Sequence, residues 1–214
     1  MLSSVFNIKE IKVLNNRKIS AEEIIVISGI EKGNNMFKTN MWFAGEKIEE
    51  NPYVESVKIT RHLDGTIDIY VTERVSTFMI NLLTEYAYIN NQGYILEISE
   101  NMLEVPTITG AKTKELKPGE RLIREDLEKL DTVIKILDAA HNNNIGNLIN
   151  EIDITNSREY ILILESEGKT VYFGDNSKIQ QKILWIVSVI EEERGVPGEL
   201  FLKNIDRVVF REKV

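Results

Sequence analysis

The sequence has no cysteine, only four prolines and two histidines, and few aromatic residues (7%). Without cysteine the chain can form no disulfide, no thiolate metal site and no cysteine nucleophile. The two histidines, His62 and His141, lie far apart in the sequence, which leaves little for a histidine zinc site or a serine triad. Glycine-rich phosphate loops are missing as well. On this inventory the protein is a poor candidate for an enzyme, and we expect no catalytic residue, metal ion or cofactor.

Basic charge and long apolar runs are also scarce. Acidic residues outnumber basic ones by 34 to 26, and the resulting net charge of −8 argues against a nucleic-acid partner, because phosphate binding needs a basic surface. The longest apolar run, Ile183 to Ile190, is far shorter than the roughly 20 residues that cross a bilayer. With 43% hydrophobic residues the chain can still build a core. We expect a folded chain that is either soluble or a piece of an anchored protein.

The first part of the sequence predicts two capped helices between strands. A loosely alternating pattern over 6–13 is typical of a strand with one wet face. Ser20 and Glu23 form a capping box for a short helix that ends at Gly29. A second helix is predicted from Thr39, as its N-cap, to Glu50, just before Asn51-Pro52.

A predicted β-hairpin completes this first unit. Apolar and polar residues alternate over 57–59 and again over 67–71, and a Leu63-Asp-Gly65 turn separates the two runs. The order β-α-α-β-β predicts a three-stranded sheet with both helices on one face, in a domain that spans residues 1–77.

The remainder, residues 78–214, is predicted to be a β-rich domain with two helices, which makes the whole chain an α+β protein. Apolar residues recur at helical spacing from Leu127 to Leu137 and again from Ile179 to Ile190. Ser177 and Gln180 form a second capping box. Short strands are predicted at 86–89, 94–96, 105–109, 148–154, 160–164, 170–173, 200–203 and 208–212.

Acidic clusters are the first candidates for chemistry. Glu49-Glu50, Glu125-Asp126 and Glu191 to Glu193 lie at helix ends or on polar faces without a partner motif, so we interpret them as solvated helix surface. Trp185 is interpreted as a core residue, whereas Trp42 stays ambiguous.

The last strand is the stronger candidate. If the run Val208 to Glu212 lies at a sheet edge, its unpaired backbone groups could accept a strand from a partner. Four basic residues make this tail locally basic, which suits an acidic partner segment: Lys203, Arg207, Arg211 and Lys213. The alternative is an edge strand whose own charges prevent it from pairing with another strand. The pattern alone leaves both interpretations open. In the first case, Phe210→Asp or Val209→Pro should abolish binding with little change in thermal stability.

The order of these segments is familiar. Residues 6–74, with Gly33-Asn-Asn-Met-Phe37, Asn51-Pro-Tyr-Val54 and Ile67-Asp-Ile-Tyr-Val-Thr-Glu-Arg74, resemble a POTRA domain. Together with Tyr86-Ala-Tyr-Ile-Asn-Asn-Gln-Gly-Tyr-Ile-Leu96 and Val105-Pro-Thr-Ile-Thr-Gly110, they resemble the extracytoplasmic part of the bacterial cell-division family FtsQ, called DivIB in Gram-positive bacteria. The usual hairpin proline is absent here, where the chain reads His62-Leu-Asp-Gly65.

The resemblance implies a non-enzymatic scaffold of the division septum, with no cofactor, small-molecule substrate or nucleic acid. FtsQ-like proteins are single-pass membrane proteins, so an anchor is expected upstream, with Leu2 to Val5 at the outer end of this region. Their partners are the division proteins FtsB (DivIC) and FtsL, and septal peptidoglycan synthesis is the process that they help to control. A POTRA-containing chaperone or polypeptide-transport component is the alternative.

In this family the last strands receive a strand of FtsB. The positions that correspond here are Arg207, Val208, Val209, Phe210 and Arg211. The hairpin strand of the POTRA domain is a second, weaker docking candidate, through Val57, Lys58, Ile59 and Arg61.

Overall fold

Four α-helices and twelve strands are present in residues 6–213, the part of the chain that the computed structural model describes. The strands are β1 (Glu10–Leu14), β2 (Val54–Arg61), β3 (Thr66–Glu73), β4 (Phe78–Asn81), β5 (Tyr86–Ile89), β6 (Ile95–Ser99), β7 (Thr107–Thr109), β8 (Glu151–Asp153), β9 (Tyr160–Leu164), β10 (Lys169–Gly174), β11 (Gly198–Phe201) and β12 (Val209–Glu212). The helices are α1 (Ala21–Ser28), α2 (Met41–Glu49), α3 (Arg124–Asn142) and α4 (Ile179–Glu192). The expected outer end, Leu2 to Val5, lies outside the described residues. Two compact units divide the chain, Met1–Val75 and Ser76–Val214.

The first unit has the predicted β-α-α-β-β order. Strand β3 lies in the centre of its sheet, parallel to β1 and antiparallel to β2, so β2 is an outer strand. The side chains of Ile67, Ile69 and Val71 alternate along β3 and are fully buried, which is the pattern of a sheet with one covered face. Helix α1 packs against β1 and helix α2 against β2. The prediction of a POTRA-like α+β unit is confirmed.

Local capping signals fix the first helix, but they misplace the start of the second. The Ser20 side chain accepts the Glu23 N–H at 3.2 Å, and Gly29 ends α1 in the left-handed conformation (φ 64°), as predicted. The N-cap of α2 is Asn40 instead of Thr39. Thr39 is unsuitable because its hydroxyl donates to the Asn35 carbonyl oxygen at 3.1 Å.

The second unit is built on a nine-stranded sheet in the described residues, with the order β12-β11-β10-β9-β8-β7-β4-β5-β6. Helix α4 links β10 to the parallel strand β11, and β12 returns antiparallel beside β11. Helices α3 and α4 pack on each other, and their apolar stripes share one core with the buried residues of the sheet. This arrangement leaves β12 and β6 as the outer strands.

The predicted capping box at Ser177 is wrong. Both the backbone N–H and the hydroxyl of Ser177 donate to Asp175 Oδ1, at 3.0 and 2.6 Å. The residue before the helix is Lys178, in the left-handed conformation (φ 51°) and without a side-chain capping bond. A turn that Asp175 stabilises therefore replaces the capping box, because an aspartate readily binds backbone groups two residues later.

Candidate protein-binding edges

Strand β12 offers the outer edge of the large sheet. Its register with β11 places Val209 opposite Phe201, Phe210 opposite Leu200 and Glu212 opposite Gly198. The Lys213 N–H donates to the Pro197 carbonyl oxygen at 2.9 Å, so the backbone of Lys213 is turned toward β11. In an antiparallel pair the backbone N–H and C=O groups of successive residues point alternately toward the neighbouring strand and away from it. The N–H and C=O groups of Phe210 and Glu212 are consequently turned outward, where a further strand would lie.

The five residues predicted for this site are together but differ in orientation. Arg207 is exposed in the loop before the strand, where its N–H donates to the Asn204 carbonyl oxygen at 3.0 Å. Val208 precedes the strand and packs against the core. Val209 is 41% exposed and Arg211 is exposed too. Phe210 points to the opposite side, toward the core. The strand thus has an apolar inner face and a partly basic outer face.

Phe210 is a packing residue as well as an edge residue. A Cβ atom built on Gly198 would lie 2.4 Å from the Phe210 ring, so the ring lies directly on the glycine backbone. The ammonium group of the buried Lys169 lies 6.0 Å from the centre of the same ring. We therefore expect Phe210→Asp to lower stability, contrary to the expectation from the sequence alone.

The basic character of the edge is only partly neutralised. Arg211 Nη1 and Lys213 Nζ lie 4.0 and 3.8 Å from the carboxylate of Glu199. Two cations therefore share one carboxylate at long distances, and such exposed pairs are weak. The Arg211 guanidinium also lies 5.4 Å from the centre of the Phe201 ring, which stacks on Tyr172 with a centroid distance of 4.7 Å. A net positive charge remains on this side of the strand.

The second candidate edge, on β2, is partly occupied by side chains of its own unit. The Val57 N–H donates to Glu49 Oε1 at 3.0 Å, and Arg61 Nη2 donates to the Thr39 carbonyl oxygen at 2.9 Å. Val57 and Ile59 are half-buried, on the face that α2 covers, whereas Lys58 is exposed. The four predicted residues therefore lie along one outer strand but do not share one face.

The acidic clusters hold no metal site: among residues 6–213, no three metal-binding side chains converge. Glu125 is half-exposed, and its hydrogen bond with Lys112 lowers the pKa of Glu125 and raises that of Lys112. The neighbouring Asp126 is fully buried, so its interpretation as solvated surface is wrong. Its carboxylate accepts the N–H groups of Lys112 and Thr113 and the Thr113 hydroxyl, at 2.6 to 3.0 Å. The cluster stabilises a loop.

Two buried lysines, which the sequence analysis did not single out, support the region next to β12. Lys169 Nζ donates to the carbonyl oxygens of Glu167, Glu193 and Val196, which ties the end of α4 to the start of β11. Lys182 Nζ donates to the Asp175 carbonyl oxygen at 2.8 Å. Both lysines lie in apolar patterns where their long stems can be buried.

The interpretation of Trp185 as a core residue is wrong. It is 42% exposed, and with the 57%-exposed Leu184 it lines an open groove of about 540 Å³. Ile205 and Asp206, from the loop before β12, form the other side of this groove. In the described part of the chain, none of the helices is long and apolar enough for a membrane span.

Comparison with known proteins gives two family matches in succession. The family described as "POTRA domain, FtsQ-type" matches residues 6–74, and the one described as "FtsQ/DivIB, C-terminal related" matches residues 79–194. Cell division protein DivIB of Clostridium acetobutylicum is 33% identical, over 88% of this chain and 75% of that protein. DivIB of Clostridium tetani is 26% identical over 90% and 73%, and FtsQ of a Geobacter species is 24% identical over 89% and 69%. The second family match ends before β11 and β12, so it does not include the candidate edge.

Proposed function

Because this chain belongs to the FtsQ/DivIB family of cell-division proteins, we propose that it is a non-enzymatic scaffold of the division machinery. In this proposal β12 accepts a strand from an FtsB/DivIC-like protein, FtsL-like proteins join the assembly, and the complex helps to regulate septal peptidoglycan synthesis. An anchor upstream of the described residues would hold the chain at the cell membrane, with this region outside the membrane and enriched at the septum.

The observation that carries the proposal is the position of β12. It is the terminal strand of the large sheet in the described residues, and the alternation set by Lys213 turns the backbone groups of Phe210 and Glu212 outward. An extended partner segment gains affinity by bonding to such groups. The basic outer side chains favour a segment that carries acidic residues. The FtsQ/DivIB match over 79–194 supports this function over the transport alternative, which would be expected to carry several POTRA units.

A proline at Glu212 tests strand addition without breaking the β11–β12 ladder. Glu212→Pro removes an outward N–H and obstructs a neighbouring strand, whereas Glu212→Ala keeps the N–H and serves as the matched control. We expect the proline variant to lower affinity for a DivIC-like ectodomain by about tenfold or more, because several backbone hydrogen bonds are disturbed together. The alanine variant should bind nearly as the natural chain does.

The measurement is isothermal titration calorimetry of this chain with the purified ectodomain, accompanied by thermal unfolding of both variants. Equal affinities of the proline and alanine variants, both folded, would refute strand addition at β12. Val209→Pro is a poorer test, because the Val209 N–H is turned toward β11 and its loss would loosen the edge strand itself.

We also propose the outer strand β2 as a second docking edge, through Val57, Lys58, Ile59 and Arg61. Its support is the outer position of β2 in the three-stranded sheet. The side chains that already cover part of this edge make it the weaker of the two.

A further inference from the structure

A carboxylate of α2 occupies the edge of β2. Glu49, the last residue of the helix, accepts the Val57 N–H at 3.0 Å. Because the Val57 N–H is turned away from β3, the alternation of an antiparallel pair turns the backbone groups of Ile59 and Arg61 outward as well. Glu49 Oε1 therefore takes the place that the carbonyl oxygen of an added strand would take.

An open groove runs beside this edge. It has a volume of about 310 Å³ and is lined by Met41, Trp42, Gly45, Glu46, Glu49, Val57 and Ile59. Trp42 is 71% exposed, which is unusual for the largest apolar side chain. The groove combines an apolar wall with an acidic one, since Glu46 and Glu49 are both exposed.

Gly45 keeps the groove open. A Cβ atom at this position would have no other atom within 4 Å, so the packing of the unit does not require glycine. Glycine inside a helix is destabilising relative to alanine, and Gly45 has no left-handed conformation that would explain it. Its smallness leaves free the space between α2 and β2.

We propose that this groove binds an extended segment that presents an apolar residue and, two positions later, a lysine or arginine on the same face. The apolar side chain would lie against Trp42 and Ile59. The carbonyl oxygen of the segment would replace Glu49 on the Val57 N–H, and the released carboxylate would then pair, together with Glu46, with the basic side chain. Glu49 thus competes with every segment and selects the basic ones. This inference rests on the proposal that β2 accepts a strand.

Three acetylated peptides about ten residues long, the length of a long strand, test the idea. They repeat Val-Thr-Lys-Thr, Val-Thr-Glu-Thr or Val-Thr-Thr-Thr, so that valine and the variable residue share one face of the strand. Binding is followed by tryptophan fluorescence in a Trp185→Phe background. The sequence has two tryptophans, so Trp42 alone gives the signal in this background. We expect the lysine peptide to bind at least about fivefold more tightly than the glutamate peptide at low salt. An exposed ion pair contributes up to about 1 kcal/mol, which corresponds to about a fivefold change in affinity.

Variants of the groove distinguish competition between Glu49 and the peptide for the Val57 N–H from simple attraction of a basic peptide to the acidic wall. Glu49→Ala should tighten binding of the neutral peptide about fivefold, since the edge N–H becomes available, and should weaken selection for lysine. Gly45→Leu fills the groove and should abolish binding of all three peptides, while Gly45→Ala should keep it. Glu22→Ala, an exposed glutamate on α1, is the control for loss of charge alone. Circular dichroism verifies that each variant folds.

The possible outcomes are distinct. Unchanged or weaker binding of the neutral peptide to Glu49→Ala would refute the claim that Glu49 competes with the peptide for the Val57 N–H. If none of the peptides binds any variant, docking at β2 is refuted as well, while the scaffold function at β12 is still judged by Glu212→Pro. Self-association that Gly45→Leu abolishes, seen by sedimentation, would assign the groove to a second copy of this chain and overturn the proposal.

Discussion

The buried carboxylate of Asp126 should be a major source of stability in the second unit. It accepts two backbone N–H groups and the Thr113 hydroxyl, all within 3.0 Å, and has no exposed surface. In Asp126→Asn the amide oxygen can take the place of Oδ2, which all three donors reach, but the amide NH2 group then faces the Lys112 N–H, and the negative charge that strengthens the three bonds is lost. A hydrogen bond to a charged group contributes about 1.5 to 3 kcal/mol and one to a neutral group about 0.5 to 1.5 kcal/mol, so each of the three bonds is weakened by about 1 kcal/mol. We therefore expect a loss of about 3 kcal/mol.

The assay is urea unfolding followed by tryptophan fluorescence in a Trp42→Phe background, in which Trp185 reports the second unit. In a separate thermal unfolding experiment, a loss of this size should lower the Tm by about 10 °C for a domain of this length. The matched control is Asp131→Asn, on the same helix, whose carboxylate is 65% exposed and pairs with Lys135. It should change stability by less than about 0.5 kcal/mol.

A double-mutant cycle tests whether Thr113 and Asp126 act together in one set of hydrogen bonds. Thr113 donates its hydroxyl to Asp126 at 2.6 Å and accepts the N–H of Ile123, the residue just before α3, at 3.1 Å, so it links the carboxylate to the start of the helix. Thr113→Val and Asp126→Asn should therefore be non-additive by about 1 kcal/mol or more. Additive effects, or a loss below about 1 kcal/mol for Asp126→Asn, would contradict the role assigned to the carboxylate.

Two further predictions concern carboxylates that order turns. Glu73→Gln should destabilise the first unit by about 2 kcal/mol, because the carboxylate accepts three successive N–H groups of residues 17–19; urea unfolding followed by Trp42 fluorescence should report the loss, and an unchanged midpoint would refute it. Hydrogen bonds from Ser177, with a smaller contribution from Lys182, lower the pKa of Asp175 from 3.8 to about 2. The carboxylate therefore stabilises the fold above its unfolded pKa, and this contribution is lost as the pH falls from about 4 toward 2. The stability difference between the natural chain and Asp175→Asn, below about 1 kcal/mol because the group is half-exposed, should disappear at acidic pH in denaturant titrations, and a difference independent of pH would contradict the assignment.

Local patterns predicted the first unit well because its determinants lie within a few residues of one another. The Ser20 cap and the Gly29 stop each act within one helical turn, and the alternation along β3 records which of its faces is covered. The second capping box failed for an equally local reason. Asp175, two residues before Ser177, is the signal of a competing turn, and its presence in the sequence could have warned against the box.

Tertiary partners explain what the sequence could not give. Asp126 and Glu125 are adjacent acidic residues, yet one is buried and the other half-exposed, because the backbone of residues 112–113 is folded against the first turn of α3. Likewise the amphipathic stripe of α4 predicted a buried face, but whether Trp185 belonged to it depended on how closely the loop before β12 approaches the helix. The edge position of β12 also depends on strand order, which periodicity does not determine.

If a partner strand adds to β12, as we propose, the register of β12 specifies the two faces that this strand must have. Side chains that lie opposite each other on neighbouring strands share a face of the sheet. An added segment therefore needs apolar residues at the positions beside Phe210, which points to the core, and acidic residues at the alternate positions beside Arg211 and Lys213, whose charges Glu199 balances only in part. A segment with this pattern shifted by one residue would turn its acids toward the apolar face. The proposed strand addition would therefore select its partner by the register of the apolar and acidic residues as much as by net charge.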